Sequence, residues 1–227
     1  MNLKFIAEKY QISPDKIDVV FNGSHSFYHE INEAKKRQAR EKWTDGKPYF
    51  YYIGSLHPRK NITRMLLAFN EFKVAGGEEE LVIVGERKWW SKEMEDAYDT
   101  IEHKDAVHFV GRQEPEELTG IAGAATALVY VSYFEGFGIP IVEAFNAGVP
   151  VITSNITAMP EVAGEAGILV DPFSVESIAK GMIRTSLDKE LREDSVAKGK
   201  QRAELFTWKK SADRMWNSIQ STLADVG

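Results

Sequence analysis

Between residues 49 and 170, short apolar runs alternate with stretches whose apolar side chains recur every three or four positions. The runs are Tyr49–Ile53, Leu81–Val84, Val107–Val110, Ala127–Val131, Val149–Thr153 and Gly167–Val170. Apart from His108 and Thr153 they are apolar or small at every position, not at alternate ones. Strands of that kind are buried on both faces, and a parallel sheet between helical layers buries them so. Helical spacing joins Leu66, Leu67, Ala68, Phe69 and Phe72. Ser91–His103, Glu114–Ala125 and Ile139–Ala147 read as further helices, as do 174–186, 188–205 and 208–224. The pattern predicts an α/β fold, a doubly wound parallel sheet of Rossmann-like type, over about residues 48–187.

The flanks differ from this core. Residues 1–47 hold a helical segment, Leu3–Tyr10, a turn at Ser13-Pro14-Asp15 and an apolar run, Ile17–Phe21, closed by Asn22-Gly23. Glu30–Trp43 is charged, with Lys35, Lys36, Arg37 and Arg40, and reads as a solvated helix face or linker. In 188–227 the residues Trp208, Ala212, Met215, Trp216, Ile219 and Leu223 fall on one helical face, which needs something to pack against.

Charge and composition narrow the function. With 34 acidic against 28 basic side chains the net charge is −6, which argues against a nucleic-acid surface as the main role. There is no cysteine, so disulfides and thiolate metal sites are excluded and a reducing cytoplasm is the simplest compartment. No signal peptide and no apolar stretch near the roughly 20 residues of a membrane span is visible. The Asn-x-Ser/Thr triplets at Asn22, Asn61 and Asn155 therefore read as chance.

In open parallel sheets ligands bind beyond the carboxyl ends of the strands. The loop after the first strand reads Gly54-Ser55-Leu56-His57-Pro58-Arg59-Lys60-Asn61. Gly54 permits a tight turn, and Arg59 and Lys60 set two cations just before a helix, a suitable pair for two linked phosphates. Taken alone, Arg-Lys is more often a solvated surface pair. The loop after the fourth strand carries Glu135-Gly136-Phe137-Gly138-Ile139-Pro140, with Glu143 in the first turn of the helix that follows. Two glycines let backbone N–H groups face a ligand, and Pro140 suits a first helical turn. Glu135 and Glu143, with seven residues between them, can converge on vicinal hydroxyls of a sugar. A dinucleotide fingerprint is incomplete: Ile141 takes the third glycine position, and Ser154-Asn155 stands where the ribose-binding acid would be. Thr153–Gly167 is a polar, turn-rich connection with room for a short helix.

Together these stretches resemble the family 4, or group 1, glycosyltransferases, retaining enzymes of GT-B fold. The resemblance rests on Tyr52–Asn61, Leu81–Gly85, Val107–Arg112, Glu135–Ala144, Ala147–Ile152, Pro160–Gly164 and Ala166–Pro172, in matching order and spacing. Ile17–Gly23 looks like the strand and turn that enter the C-terminal domain, and Phe206-Thr207-Trp208 like the start of its last helix.

The resemblance implies that Arg59 and Lys60 hold the donor diphosphate and stabilise its developing charge. Many relatives carry Arg where this chain has Ser55, so Arg59 inherits that duty. Glu143 would bind the ribose. Glu135 and the amides of Gly136, Phe137, Gly138 and Ile139 would face the sugar and diphosphate, and Gly111, Arg112, Gln113 and Leu118 would border the base. Glu135 is not thereby a nucleophile. No metal or other cofactor is implied. The partners implied are a nucleotide-diphosphate sugar, leaning to GDP-mannose, an acceptor glycan or lipid-linked glycan, and an N-terminal acceptor domain that would precede Met1. The full-length enzyme would be cytoplasmic, free or at the inner face of the membrane. The chain is then a truncated form, a split subunit or a fragment, and transfer by it alone should be weak or absent. The rival readings are a non-catalytic nucleotide-sugar module serving a partner subunit and a dehydrogenase-like dinucleotide domain.

Overall fold

The computed structural model describes residues 3–226. Helix α1 spans Leu3–Tyr10 and α2 Glu33–Thr44; the alternating core follows as β1 Tyr49–Ile53, α3 Ile62–Val74, β2 Glu80–Val84, α4 Lys92–Thr100, β3 Val107–Gly111 and α5 Pro115–Ala124. It continues with β4 Ala127–Tyr130, α6 Ile139–Asn146, β5 Val151–Ser154, α7 Met159–Ala163, β6 Gly167–Val170, α8 Val175–Leu187, α9 Lys189–Ala203 and α10 Trp208–Val226. The sheet order is β3-β2-β1-β4-β5-β6. Every pairing between these strands is parallel. The order reverses between β1 and β4, so a crevice opens above those two strands.

Burial explains why β1 reads as a continuous apolar run. Tyr49, Phe50, Tyr51 and Tyr52 are essentially inaccessible to water. Their phenols need partners there: Tyr49 donates to the Ile121 carbonyl at 2.8 Å and Tyr52 to the Ser55 carbonyl at 2.9 Å. On one face α3 packs against α4 and α8, and on the other α6 packs against α7 and α9.

Two expectations are corrected. Ile17–Phe21 forms no strand. Phe21 instead packs its ring against Phe206 and Phe137, with centroids at 5.5 and 6.1 Å, which ties the N-terminal flank to the loop after β4. The fifth strand begins at Val151, not Val149. Pro150 has no N–H to give the ladder, though its carbonyl accepts from Leu128, and the Val149 amide turns back to the Ala144 carbonyl at the end of α6. The charged segment before β1 is a helix: Asn32 caps α2 through the Lys35 amide, and α2 lies on α5 with Ala39 buried between them.

Candidate functional site

The carboxyl ends of β1, β2 and β3 finish at Gly54, Gly85 and Gly111. Backbone approach is the reason. The Gly54 amide donates to Val84 O at 3.0 Å and the Gly85 amide to Gly111 O at 2.9 Å. A Cβ on Gly85 would lie 2.0 Å from the Gly54 carbonyl oxygen, and its φ of +149° disfavours a side chain independently. Gly54 and Gly85 help to floor a cleft of about 560 Å³, whereas Gly111, expected to border a base, is not among its lining residues. Ile53, Val84, Pro115 and Leu118 give it apolar walls, with Ser55, Arg112 and Gln113 among its polar groups. Of the residues expected to border a base, Arg112, Gln113 and Leu118 line this cleft.

Beside it, the loop after β1 tightens into a 3-10 turn, Pro58–Lys60. Pro58 presets that turn, and His57 caps it by accepting the Arg59 amide at 3.1 Å. Asn61 follows in the left-handed region, φ 61°, and its Nδ2 donates to Val131 O at 3.0 Å and Pro172 O at 2.8 Å. One side chain therefore clamps the loops after β1, β4 and β6. The Tyr133 amide donates to Arg59 O at 2.9 Å, which adds a second tie.

This scaffold brings Arg59, Lys60 and Glu135 into contact. Lys60 Nζ lies 2.6 Å from Glu135 Oε1, and Arg59 reaches Glu135 Oε2 at 2.9 Å. Lys60 also donates to the Tyr130 hydroxyl at 2.6 Å, and Arg59 to Phe134 O at 2.6 Å. Burial acts to raise the Glu135 carboxyl, but Lys60 and Arg59 outweigh it and hold it below the usual carboxylate range. Burial pulls the Lys60 ammonium down, partly offset by Glu135. Glu135 is therefore a carboxylate at neutral pH, and with Lys60 and Arg59 it forms a preformed ion-pair cluster at the β1/β4 reversal.

Glu143 is placed differently. It is the fifth residue of α6, so it stands on the second turn and not the first. It is buried, and burial raises its carboxyl to about 7. Its charge bears on the buried phenols of Tyr28 and Tyr51, not on the cluster around Lys60. The structure thus joins three of the four residues expected to share one cleft, while the fourth, Glu143, is buried on α6.

The glycine-flanked loop begins α6: Gly138 is its N-cap at φ +101°, and Ile139 its first residue. The half-buried Phe137 ring packs edge-on against Phe206, with centroids at 5.3 Å. Gly136 and Phe137 line a separate depression with Val20 and Phe21. Sequence reasoning missed Tyr130, the neutral partner of Lys60, because a tyrosine ending an apolar strand reads as core. It also missed the Asn61 clamp, and Glu86, Lys88 and Trp89 at the cleft.

A sequence profile of the glycosyl transferases group 1 matches residues 33–202. The chain is 33% identical over 173 residues to the O-antigen chain mannosyltransferase B of Escherichia coli, covering 76% of this chain and 45% of that protein. It therefore spans about half the length of that relative. Among solved structures, sucrose-phosphate synthase of Thermosynechococcus elongatus superposes with a TM-score of 0.81 at 23% identity, covering 98% of this chain and 57% of the other. The C-terminal domain of the group 1 family protein LpcC of Francisella tularensis gives 0.68 at 21% identity, covering 80% of this chain and 96% of that one. Both bear on the fold. Among the described residues no helix is long and apolar enough to cross a membrane.

Proposed function

The chain belongs to the group 1 glycosyl transferase family, and on that premise we propose that it is the donor-binding half of a GT-B hexosyltransferase that acts with retention. The observation that carries this reading is the ionised cluster of Lys60, Arg59 and Glu135 beside a glycine-floored, apolar-walled cleft. A nucleoside enters the cleft, and its diphosphate reaches the two cations. As the glycosidic bond breaks, negative charge grows on the diphosphate and Lys60 and Arg59 neutralise it. Glu135 holds both cations in place and faces the sugar side of the site. It is not assigned as a nucleophile, since its carboxylate is already occupied by two cations. The acceptor attacks on the face that the diphosphate leaves. No metal or other cofactor is invoked, because these side chains and the amides of the Gly136–Ile139 loop supply the countercharge.

The name of the Escherichia coli relative favours a mannosyl donor, with GDP-mannose as the first candidate. The acceptor, a glycan or lipid-linked glycan, is assigned to the N-terminal domain of the whole protein, which would work in the cytoplasm or at the inner membrane face. A thermal-shift panel tests this. GDP-mannose should raise the melting temperature more than UDP-glucose does, and free mannose should not raise it. A flat response to every nucleotide sugar would contradict the reading. A non-catalytic module would give the same shifts but no transfer when the acceptor half is supplied.

A further inference from the structure

Trp89 is 61% exposed, while Trp90 beside it packs into the core. Both follow β2, where the 3-10 turn Arg87–Trp89 leaves the sheet edge. Trp90 meets Tyr98 and Phe109 edge-on, with centroids at 6.4 and 5.4 Å. The Arg87 guanidinium lies 4.7 Å over the Trp90 ring and 3.9 Å over Phe109. The turn is pinned from beneath, and that pinning carries Trp89 out to the cleft, which it lines together with Leu118 and Pro115. Holding a large aromatic in water is unfavourable, so its exposure beside an apolar slot points to a ligand that covers it.

The Trp89 ring lies 5.8 Å from that of His57. His57 caps the turn that bears Arg59 and Lys60. The lip of the cleft and the cations thus adjoin through one side chain. The cleft volume suits a nucleoside, and its glycine floor and aliphatic walls suit a flat ring.

We propose that Trp89 stacks on the base of a bound nucleoside diphosphate, making the cleft take the nucleotide in preference to its phosphates alone. The proposal rests on the donor-site reading above and adds to it a residue that contacts the substrate. Stacking is tolerant of base identity, so Trp89 supplies affinity for any nucleoside, and the choice between bases falls to the polar groups at Arg112 and Gln113.

The test compares the whole chain with Trp89→Ala and Trp89→Phe by calorimetric titration of GDP, UDP and inorganic pyrophosphate. Trp89→Ala should weaken both nucleoside diphosphates by about tenfold or more and leave pyrophosphate within about twofold. Trp89→Phe should recover most of the loss. GDP should quench the tryptophan fluorescence of the natural chain and quench that of Trp89→Ala less. Equal affinity of Trp89→Ala for GDP would overturn the role of Trp89 and leave the donor site standing. Equal loss for all three ligands would also overturn it, since Trp89 would then act through the Arg59–Lys60 turn. If the natural chain bound no nucleoside diphosphate, the donor reading and this inference would fall together.

Discussion

Glu135 and Glu143 belong to one short motif, yet the structure gives them opposite proton affinities. Glu135 is held below its ordinary range, so its contribution to stability is present above about pH 4.5 and is lost as pH falls through its lower folded value. Glu143 is raised from 4.5 to about 7 by burial. Its folded form holds the proton more tightly than the unfolded chain does. The associated stability is complete below pH 4.5 and disappears as pH rises through about 7. The span corresponds to roughly 3 kcal/mol. Glu143→Gln should remove that fall, leaving stability flatter between about pH 5 and pH 8, as measured by denaturant unfolding. An unchanged slope would mean that Glu143 is better solvated than its burial implies. At Asn61 the backbone and the side chain make separate demands. Asn61→Ala leaves two buried carbonyls without their donor and keeps an unfavourable positive φ, so it should cost on the order of 3 kcal/mol. Asn61→Gly relieves the backbone alone and should cost less. Equal costs would show that the clamp carries no weight.

Among the elements, the three glycines that end β1, β2 and β3 explain why the cleft can form at all. Gly85→Ala sets a methyl against the Gly54 carbonyl and should destabilise by several kcal/mol, on the order of 3, while lowering nucleotide affinity. A variant of ordinary stability would contradict the close approach seen here. The parallel sheet was legible because six runs lacked any alternation, a pattern that only burial on both faces produces. Ile17–Phe21 is a similar apolar run, but it pairs with no strand, and its aromatic residue goes into the Phe21–Phe137–Phe206 cluster. Period alone cannot separate those outcomes, because tertiary context decides them. The charge cluster was legible for a different reason. Arg59, Lys60 and Glu135 lie on loops that a doubly wound sheet must bring to its switch point. Glu143 was misplaced although the start of its helix at Ile139 was read correctly: the fifth residue already stands a turn past the loop, where it is buried. Trp89 left no trace in the periodicity, since a Trp-Trp pair does not say which ring will be buried.

Across the whole molecule, α10 stands out. Trp208, Met215, Trp216, Ile219 and Leu223 are all exposed on it. The helix is fastened on its other side, where Ser218 donates to Asp18 at 2.7 Å and Arg214 covers Phe21 at 4.8 Å. An exposed stripe of that kind promotes association. Met215→Gln with Trp216→Gln should leave unfolding stability within about 0.5 kcal/mol and reduce any concentration-dependent self-association in sedimentation runs. A large stability loss would show that the face is already packed within the chain.

The claim on which the rest depends is that the β1/β4 reversal binds a nucleoside diphosphate through Lys60. Calorimetric titration of GDP and NAD against the natural chain and Lys60→Ala tests it most directly. The account predicts saturable binding of GDP, little binding of NAD, and a loss of about tenfold or more for GDP in Lys60→Ala. NAD binding as tight as GDP, or GDP binding indifferent to Lys60, would contradict it.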